Sequence, residues 1–280
     1  MAGSLGLKSK ELYPRVFSRQ ASAYKARLEQ VLSRGEARGR LRMLELAGVK
    51  EGDTVLDLAC GPGTMTSLLA ERVSPGGRVL GVDLARGMIE LAAREPAPHK
   101  WFAVMDMERL GLLDGTFDVV TCGHGLQFAP DLACALREAR RVLRPAGTLA
   151  ASVPGPTADG SVWELIDRVA DSQLPPAQKA VDDDMTRETV ADMDAFRSAT
   201  LDAGFSSATV EVVEEVVVWE SAAMLVATFM GWWQNATRLE DADPAFRMKF
   251  EADATEAVRR QHAGRITTRG RTLVLAARNA

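Results

Sequence analysis

The stretch VLDLACGPGTMT, Val55 to Thr66, constrains this chain more than any other. A run of strand formers ends in two glycines one residue apart, and a helical pattern follows. Glycine takes backbone conformations that other residues resist and lets a ligand approach the main chain closely. A turn of this kind between strand and helix predicts an α/β fold with a ligand at the carboxyl end of the strand.

The flanking sequence supports that architecture. Short apolar runs at Thr54–Ala59, Arg78–Asp83, Phe102–Asp106, Phe117–Cys122 and Thr148–Val153 read as strands. Between them, amphipathic stretches near Met65–Val73, Gly87–Arg94 and Asp131–Leu143 read as helices. In the last, Leu132, Leu136, Ala139 and Leu143 share a face and Asp131 suits an N-cap. Strands that are continuously rather than alternately apolar predict a parallel sheet covered on both faces. Upstream, residues 17–48 are helical in pattern and Gly48 suits a C-cap. Downstream, helical patterns at Ser161–Ser172, Met193–Gly204, Ala222–Leu239 and Pro244–His262 surround strand patterns at 208–220 and 271–277.

The glycine turn lacks the third glycine of the GxGxxG dinucleotide fingerprint, with Thr66 in its place. Asp57 precedes the turn. A carboxylate there repels a pyrophosphate and suits a cation. Asp83 ends the second strand, where an acid accepts from ribose hydroxyls. Asp106 ends the third, where an acid can accept from the adenine amine with Met107 beside the ring. Three acids at successive strand ends favour S-adenosylmethionine, whose amino group and sulfonium are cationic.

The stretches VLDLACGPGTMT, VLGVDLARGMIELA, AVMDME, FDVVTCGHGLQFAPD and ALREARRVLRPAGTLAAS, in this order over residues 54–153, resemble the class I S-adenosylmethionine-dependent methyltransferases. The resemblance is to the branch that includes ubiquinone and menaquinone methyltransferases. It implies a Rossmann-like, doubly wound sheet of seven mostly parallel strands, the last antiparallel. It also implies a helical N-terminal lid over 1–50, a cofactor-binding core over 51–155, cap insertions at 156–200 and 221–265, and final strands at 208–220 and 271–278, all in one domain. By position, Asp57, Gly61 and Gly63 would line the methionine part; Asp83, Leu84 and Met88 the ribose; Asp106 and Met107 the adenine. Cys122 would approach the methionine end, and Tyr24, within FSRQASAY, would be the lid aromatic. Ala146 departs from the family pattern, which has glycine there, so the turn before the fifth strand is expected to differ.

Methyl transfer from a sulfonium needs alignment and exclusion of water more than a fixed catalytic motif. His124, directly after the fourth strand, is the candidate base for an acceptor that must lose a proton; His262 is a weaker one, and His99 reads as a surface residue. Gln127, Phe128, Trp163, Met230, Trp232 and Trp233 are the candidate substrate wall, and such large apolar groups also suit plain packing. The fourth strand ends without the aspartate of metal-dependent relatives, so no metal is expected, and Asp182 to Asp184 read as a solvated helix cap.

The remaining readings are exclusions. Net charge is −4 with no dense basic block, which argues against nucleic acid. The longest apolar run, Ala222 to Trp233, is shorter than the ~20 residues a membrane span needs, and no signal peptide is evident. Three sparse cysteines read as reduced thiols of a cytoplasmic protein. The expected partner is a small, largely apolar or aromatic molecule methylated at oxygen or carbon by a monomer or homo-oligomer, in bacterial natural-product biosynthesis. An N-methyltransferase, a non-methylating cyclase on the same scaffold and a nicotinamide-dependent dehydrogenase remain as alternatives.

Overall fold

A computed structural model describes residues 7–156, 161–182, 184–239, 242–262 and 264–280, without the side chains of Trp233 and Gln234. The N-terminal helical pattern is two helices, α1 (Ser9–Ser33) and α2 (Arg38–Ala47). Gly35, at φ 67°, breaks them apart, and Gly48, at φ 62°, caps α2 in the left-handed conformation. There follow β1 (Thr54–Leu58), α3 (Thr64–Val73), β2 (Arg78–Asp83), α4 (Arg86–Ala92), β3 (Lys100–Val104), β4 (Phe117–Gly123), α5 (Leu132–Val142) and β5 (Leu143–Pro154). The remaining elements are α6 (Val162–Gln173), α7 (Asp184–Ala191), α8 (Met193–Asp202), β6 (Ser207–Trp219), α9 (Ala222–Met230), α10 (Trp233–Arg238), α11 (Pro244–Gln261) and β7 (Ile266–Arg278).

The strands form one seven-stranded sheet in the order β3-β2-β1-β4-β5-β7-β6. Strands β1 to β5 pair in parallel, and β7 joins β5 antiparallel. Chain order reverses between β1 and β4. At such a switch point the loops diverge and open a crevice at the carboxyl ends of the strands.

Several boundaries differ from the sequence reading. Strand β3 begins and ends two residues earlier, because its ladder runs from Val79↔Lys100 to Asp83↔Val104. Asp106 therefore stands beyond the strand, in a turn that bridges to Arg109. Leu143, read as the end of a helix face, opens β5 and is buried there. The pattern at 222–239 divides at Gly231 and Trp232 into α9 and α10. Helix α7 stands where the reading had only a break.

Two compact units are present. The first comprises 1–155, 180–214 and 271–280 within the described residues. One face of its sheet packs Leu56, Leu58, Val120 and Leu149 against the apolar stripe of α5, Leu136 and Ala139. The other packs Val55, Val119 and Ala150 against Met43 and Leu44 of α2 and Met65 and Leu69 of α3. Asp131 Oδ1 accepts from the Cys134 amide at 2.8 Å and caps α5 as predicted. The second unit comprises 156–179 and 215–270. There α6, α9 and α11 enclose Ile166, Leu225, Phe229, Phe250 and Val258, all fully buried. Arg238, also buried, satisfies its guanidinium on the Leu174 and Pro175 carbonyls and pairs with Asp171 at 2.9 Å.

Candidate active site

The glycine turn is held in shape by its own strand ends. Ala59, Gly61 and Gly63 all have positive φ, at 49°, 55° and 81°. Gly63 caps α3, and a Cβ there would lie 2.7 Å from Phe102 Cζ. The second glycine is thus required by Phe102 packing beneath the loop as well as by the turn. Gly61 has more room, since the nearest heavy atom to a Cβ would be Tyr24 Cε1 at 3.8 Å. Its constraint is conformational.

Asp83 organises the turn. Oδ2 accepts from the Gly61 amide at 2.9 Å and Oδ1 from the Ala85 amide at 2.8 Å. Burial raises its pKa against these hydrogen bonds. Leu84 follows, half-buried, and Met88 of α4 packs with Ala21, Phe17 and Tyr24 of α1. Asp57 lies deeper, 1% exposed, with Oδ1 accepting from Thr121 at 2.9 Å and Oδ2 from Thr66 at 2.7 Å. Burial pushes its pKa up to about 6. Cys122, wholly buried among core residues of β4, has its thiol pushed up to about 12 by burial.

Helix α1 lies along this edge of the sheet. Lys10 pairs with Asp106 Oδ2 at 2.7 Å and Glu108 at 2.5 Å, while Asp106 Oδ1 accepts from the Glu108 amide. Met107 is half-buried against the core. Phe128 meets Tyr13 at 4.9 Å and Phe17 at 5.2 Å, and the Arg187 guanidinium stands 5.1 Å from its ring. Ser18 Oγ accepts from the Gly87 amide at the start of α4. Asp182 accepts from both the amide and hydroxyl of Ser9, so it caps α1; Asp183 lies outside the described residues.

His124 closes β4 with φ 61°, in the left-handed region where a non-glycine residue is strained. Its amide donates to the Ser152 carbonyl, and its carbonyl accepts from Gln127 Nε2, both at 2.8 Å. Nε2 of the ring is buried without a partner. Burial, with Arg40 nearby, holds its pKa well below the ordinary value, so the ring is neutral at pH 7.

Sequence reasoning missed Arg40, Ser152, Thr64 and Lys10. Arg40 Nη2 donates to the Tyr24 hydroxyl at 3.2 Å. Its signal was present: Arg40 shares a helical stripe with Met43, Leu44 and Ala47, a charge where an apolar residue belongs. The hydroxyls of Ser152 and Thr64 are buried without partners. Trp163, Met230 and Trp232 lie in the second unit. There Trp163 meets Trp232 at 4.5 Å and Trp219 at 5.7 Å. The Trp233 side chain lies outside the described residues.

S-adenosylmethionine fits the donor set of the first unit. Asp83 suits ribose hydroxyls, Arg40 a carboxylate, and the unpaired Thr64 Oγ1 beside the first turn of α3 a further anionic or accepting atom. Among the described residues no group of three His, Cys, Asp or Glu side chains converges, and no helix is long and apolar enough to cross a membrane.

Comparison with known proteins agrees with this geometry. A family described as "Methyltransferase domain" matches residues 56–151. An uncharacterised 37.1 kDa transposon protein of Streptomyces fradiae is 36% identical over 81% of this chain and 64% of its own length. A 2-phytyl-1,4-naphthoquinone methyltransferase of Trichormus variabilis is 38% identical over 46% of this chain and 59% of its own. A demethylmenaquinone methyltransferase of Staphylococcus aureus is 35% identical over 50% of this chain and 58% of its own. The chain thus spans about three fifths of these relatives. Among solved structures, YcgJ of Bacillus subtilis covers 86% of this chain and 98% of its own at TM-score 0.56 and 16% identity. Phosphoethanolamine N-methyltransferase 2 of Haemonchus contortus, solved with S-adenosylhomocysteine, covers 86% of this chain and 52% of its own at TM-score 0.53 and 17% identity; both share the fold. Residues 56–151 thus carry a methyltransferase domain, and over about half of its length the chain is similar to class I S-adenosylmethionine-dependent methyltransferases of the menaquinone-methyltransferase-like type.

Proposed function

We propose that this chain transfers a methyl group from S-adenosylmethionine to a small, largely apolar or aromatic acceptor, at oxygen or carbon. One observation carries the reading: the Asp83 carboxylate is locked onto the glycine turn at the switch point of the sheet, with unpaired buried polar atoms at the neighbouring strand ends. The cofactor supplies an activated methyl on a positively charged sulfur. Asp83 and Leu84 hold its ribose, with Met88 beneath. Gly61 and Gly63 let the methionine part approach, with Cys122 at that end. Asp57 offers a buried acid behind the turn. Asp106 and Met107 border the adenine, and Tyr24 closes over the turn from α1. His124 takes the proton of a protic acceptor.

Phe128, packed on Tyr13 and Phe17 of the first unit, is proposed to recognise the acceptor's apolar body. The names of the Trichormus and Staphylococcus relatives support an aromatic acceptor with an apolar part. The three free cysteines support a cytoplasmic setting, and a place in bacterial natural-product biosynthesis is part of the proposal.

Titration calorimetry against S-adenosylmethionine, S-adenosylhomocysteine and NAD tests the cofactor. The expected result is binding of the first two only, weakened at least tenfold by Asp83→Ala. Transfer of labelled methyl to lipophilic phenols then separates a methyltransferase from a cyclase that uses the same fold. Failure to bind either sulfur nucleoside at millimolar concentration overturns the reading.

A further inference from the structure

Three buried side-chain atoms at the ends of β4 and β5 have no partner: His124 Nε2, Gln127 Oε1 and Ser152 Oγ. Their residues are joined through the backbone. Gly123 pairs in register with Ser152, the His124 amide donates to the Ser152 carbonyl, and Gln127 Nε2 donates to the His124 carbonyl. Ser152 is fully buried and Gln127 is 7% exposed. Leaving such groups unpaired costs about 1–3 kcal/mol each, and native proteins seldom accept that three times in one place unless a ligand completes the set.

The chemistry of the missing partner follows from the atoms. The carbonyl of His124 needs a donor, which fixes Nε2 of Gln127 on it and leaves Oε1 as a pure acceptor. The partner must therefore carry a proton. A carboxylate presents only lone pairs to Oε1. An ammonium would enter a buried nest that contains no carboxylate, beside an imidazole already held neutral near Arg40. A hydroxyl suits a nest of this mixed kind: it accepts from the Ser152 hydroxyl and donates its one proton to Oε1 or to His124 Nε2.

Gly123 supplies the space. It shares its sheet face with Ser152, its partner across the ladder. A Cβ there would have Met43 Cε at 3.7 Å and Arg40 Nε and Met65 Cγ at 3.9 Å as its nearest neighbours. That is room for one methyl group or one oxygen, left open by the missing side chain.

We infer that His124, Gln127 and Ser152 form a subsite, with the notch at Gly123, for the reacting hydroxyl of the acceptor, a phenol or enol rather than an amine. This rests on the methyltransferase reading above. The acceptor's O–H proton passes to His124 Nε2 as the sulfonium loses its charge, so the site's total positive charge does not rise. The oxygen lone pair forms the new bond to the methyl carbon. The carbon–sulfur bond breaks with its electrons going to sulfur, which leaves as a neutral thioether.

The test uses the full chain saturated with S-adenosylhomocysteine and three probes on one ring system: 1-naphthol, 1-methoxynaphthalene and 1-naphthylmethylamine, a cation at pH 7. Calorimetry is expected to show naphthol bound at least tenfold more tightly than the methyl ether, about the worth of one buried hydrogen bond. Gly123→Ala, whose Cβ meets only ordinary contacts, and Ser152→Ala should keep the melting temperature and the S-adenosylhomocysteine affinity while narrowing that preference. With S-adenosylmethionine, naphthol should yield the O-methyl product, and naphthylmethylamine little or none. Equal binding of naphthol and its ether, or equal methylation of amine and hydroxyl, overturns the subsite and leaves the methyltransferase reading standing. Absence of S-adenosylhomocysteine uptake by the parent chain overturns both.

Discussion

Ala146 shows how local strain follows from one side chain. The family resemblance led to the expectation that the turn before β5 would differ for lack of glycine. Instead Ala146 takes φ 61°, the conformation a glycine would adopt freely. A left-handed alanine costs about 1 kcal/mol, partly offset by its smaller entropy in the unfolded chain. Ala146→Gly is therefore expected to stabilise the protein by up to about 1 kcal/mol, read from urea unfolding; a loss of stability would show that the turn is not strained. Asp57 makes a second case. Its pKa rises from 3.8 to about 6 on folding because it is buried. The native state therefore holds the proton more tightly than the unfolded chain. The stability Asp57 contributes is full below about pH 4, declines as pH rises, and is lost above about pH 6. Asp57→Asn keeps both hydroxyl contacts, since threonines donate or accept. Relative to the parent, it should gain on the order of 3 kcal/mol between pH 4 and pH 7.5. Parallel unfolding curves at the two pH values would refute this. At this scale the acids and glycines were legible because their spacing from strand ends is a property of the chain. Arg40 and Ser152 were not, because an arginine on a helix and a serine in a strand acquire meaning only when β4, β5 and α2 meet. Lys10 reads as a surface charge until Asp106 and Glu108 are placed opposite.

Helix α1 ties the first unit's edge together through contacts far apart in sequence. Its middle rests on the first turn of α4, where a Cβ on Gly87 would lie 2.7 Å from the Ser18 carbonyl oxygen and 2.8 Å from Ser18 Cα. Backbone cannot retreat as a side-chain tip can. Gly87→Ala is expected to cost about 1–3 kcal/mol and to make α1 the first site of limited proteolysis; unchanged cleavage would mean that the two helices part without loss. The parallel strands were recognisable element by element, since a strand covered on both faces has no polar side to disguise it. Helix ends were less so. Helix α7 follows a proline-bearing, charged stretch whose local signal is that of a loop, and only its buried Thr186 and Val190 justify it. The division of α9 from α10 rests on Gly231 and Trp232, within an apolar run that local pattern cannot interrupt.

At the scale of the molecule, a ligand that binds only the folded first unit must raise its stability by mass action. S-adenosylhomocysteine at 100 times its dissociation constant is expected to add about 2.7 kcal/mol, a rise in melting temperature of several degrees for a protein of this size. At the same ligand concentration Asp83→Ala should cut the shift to about half or less, and an undiminished shift would place the ligand elsewhere. The fold class and the cofactor edge could be read from contiguous motifs over 54–153. The make-up of the second unit could not, because its helices come from two segments separated by α7, α8 and most of β6, and carry no spacing that relates them. Phe250 is wholly buried there, and Phe250→Ala is expected to cost about 3–5 kcal/mol.

The chain first leaves the first unit after Gly155, re-enters it over 180–214 and returns for good at Arg271, and the Gly155 amide donates to the Arg271 carbonyl at 2.7 Å. Departure and return are thus clasped side by side on neighbouring strands. Loop-closure entropy grows only slowly with the length between two such points. Length added within 156–179 or 215–270 therefore costs little closure entropy while this clasp is kept.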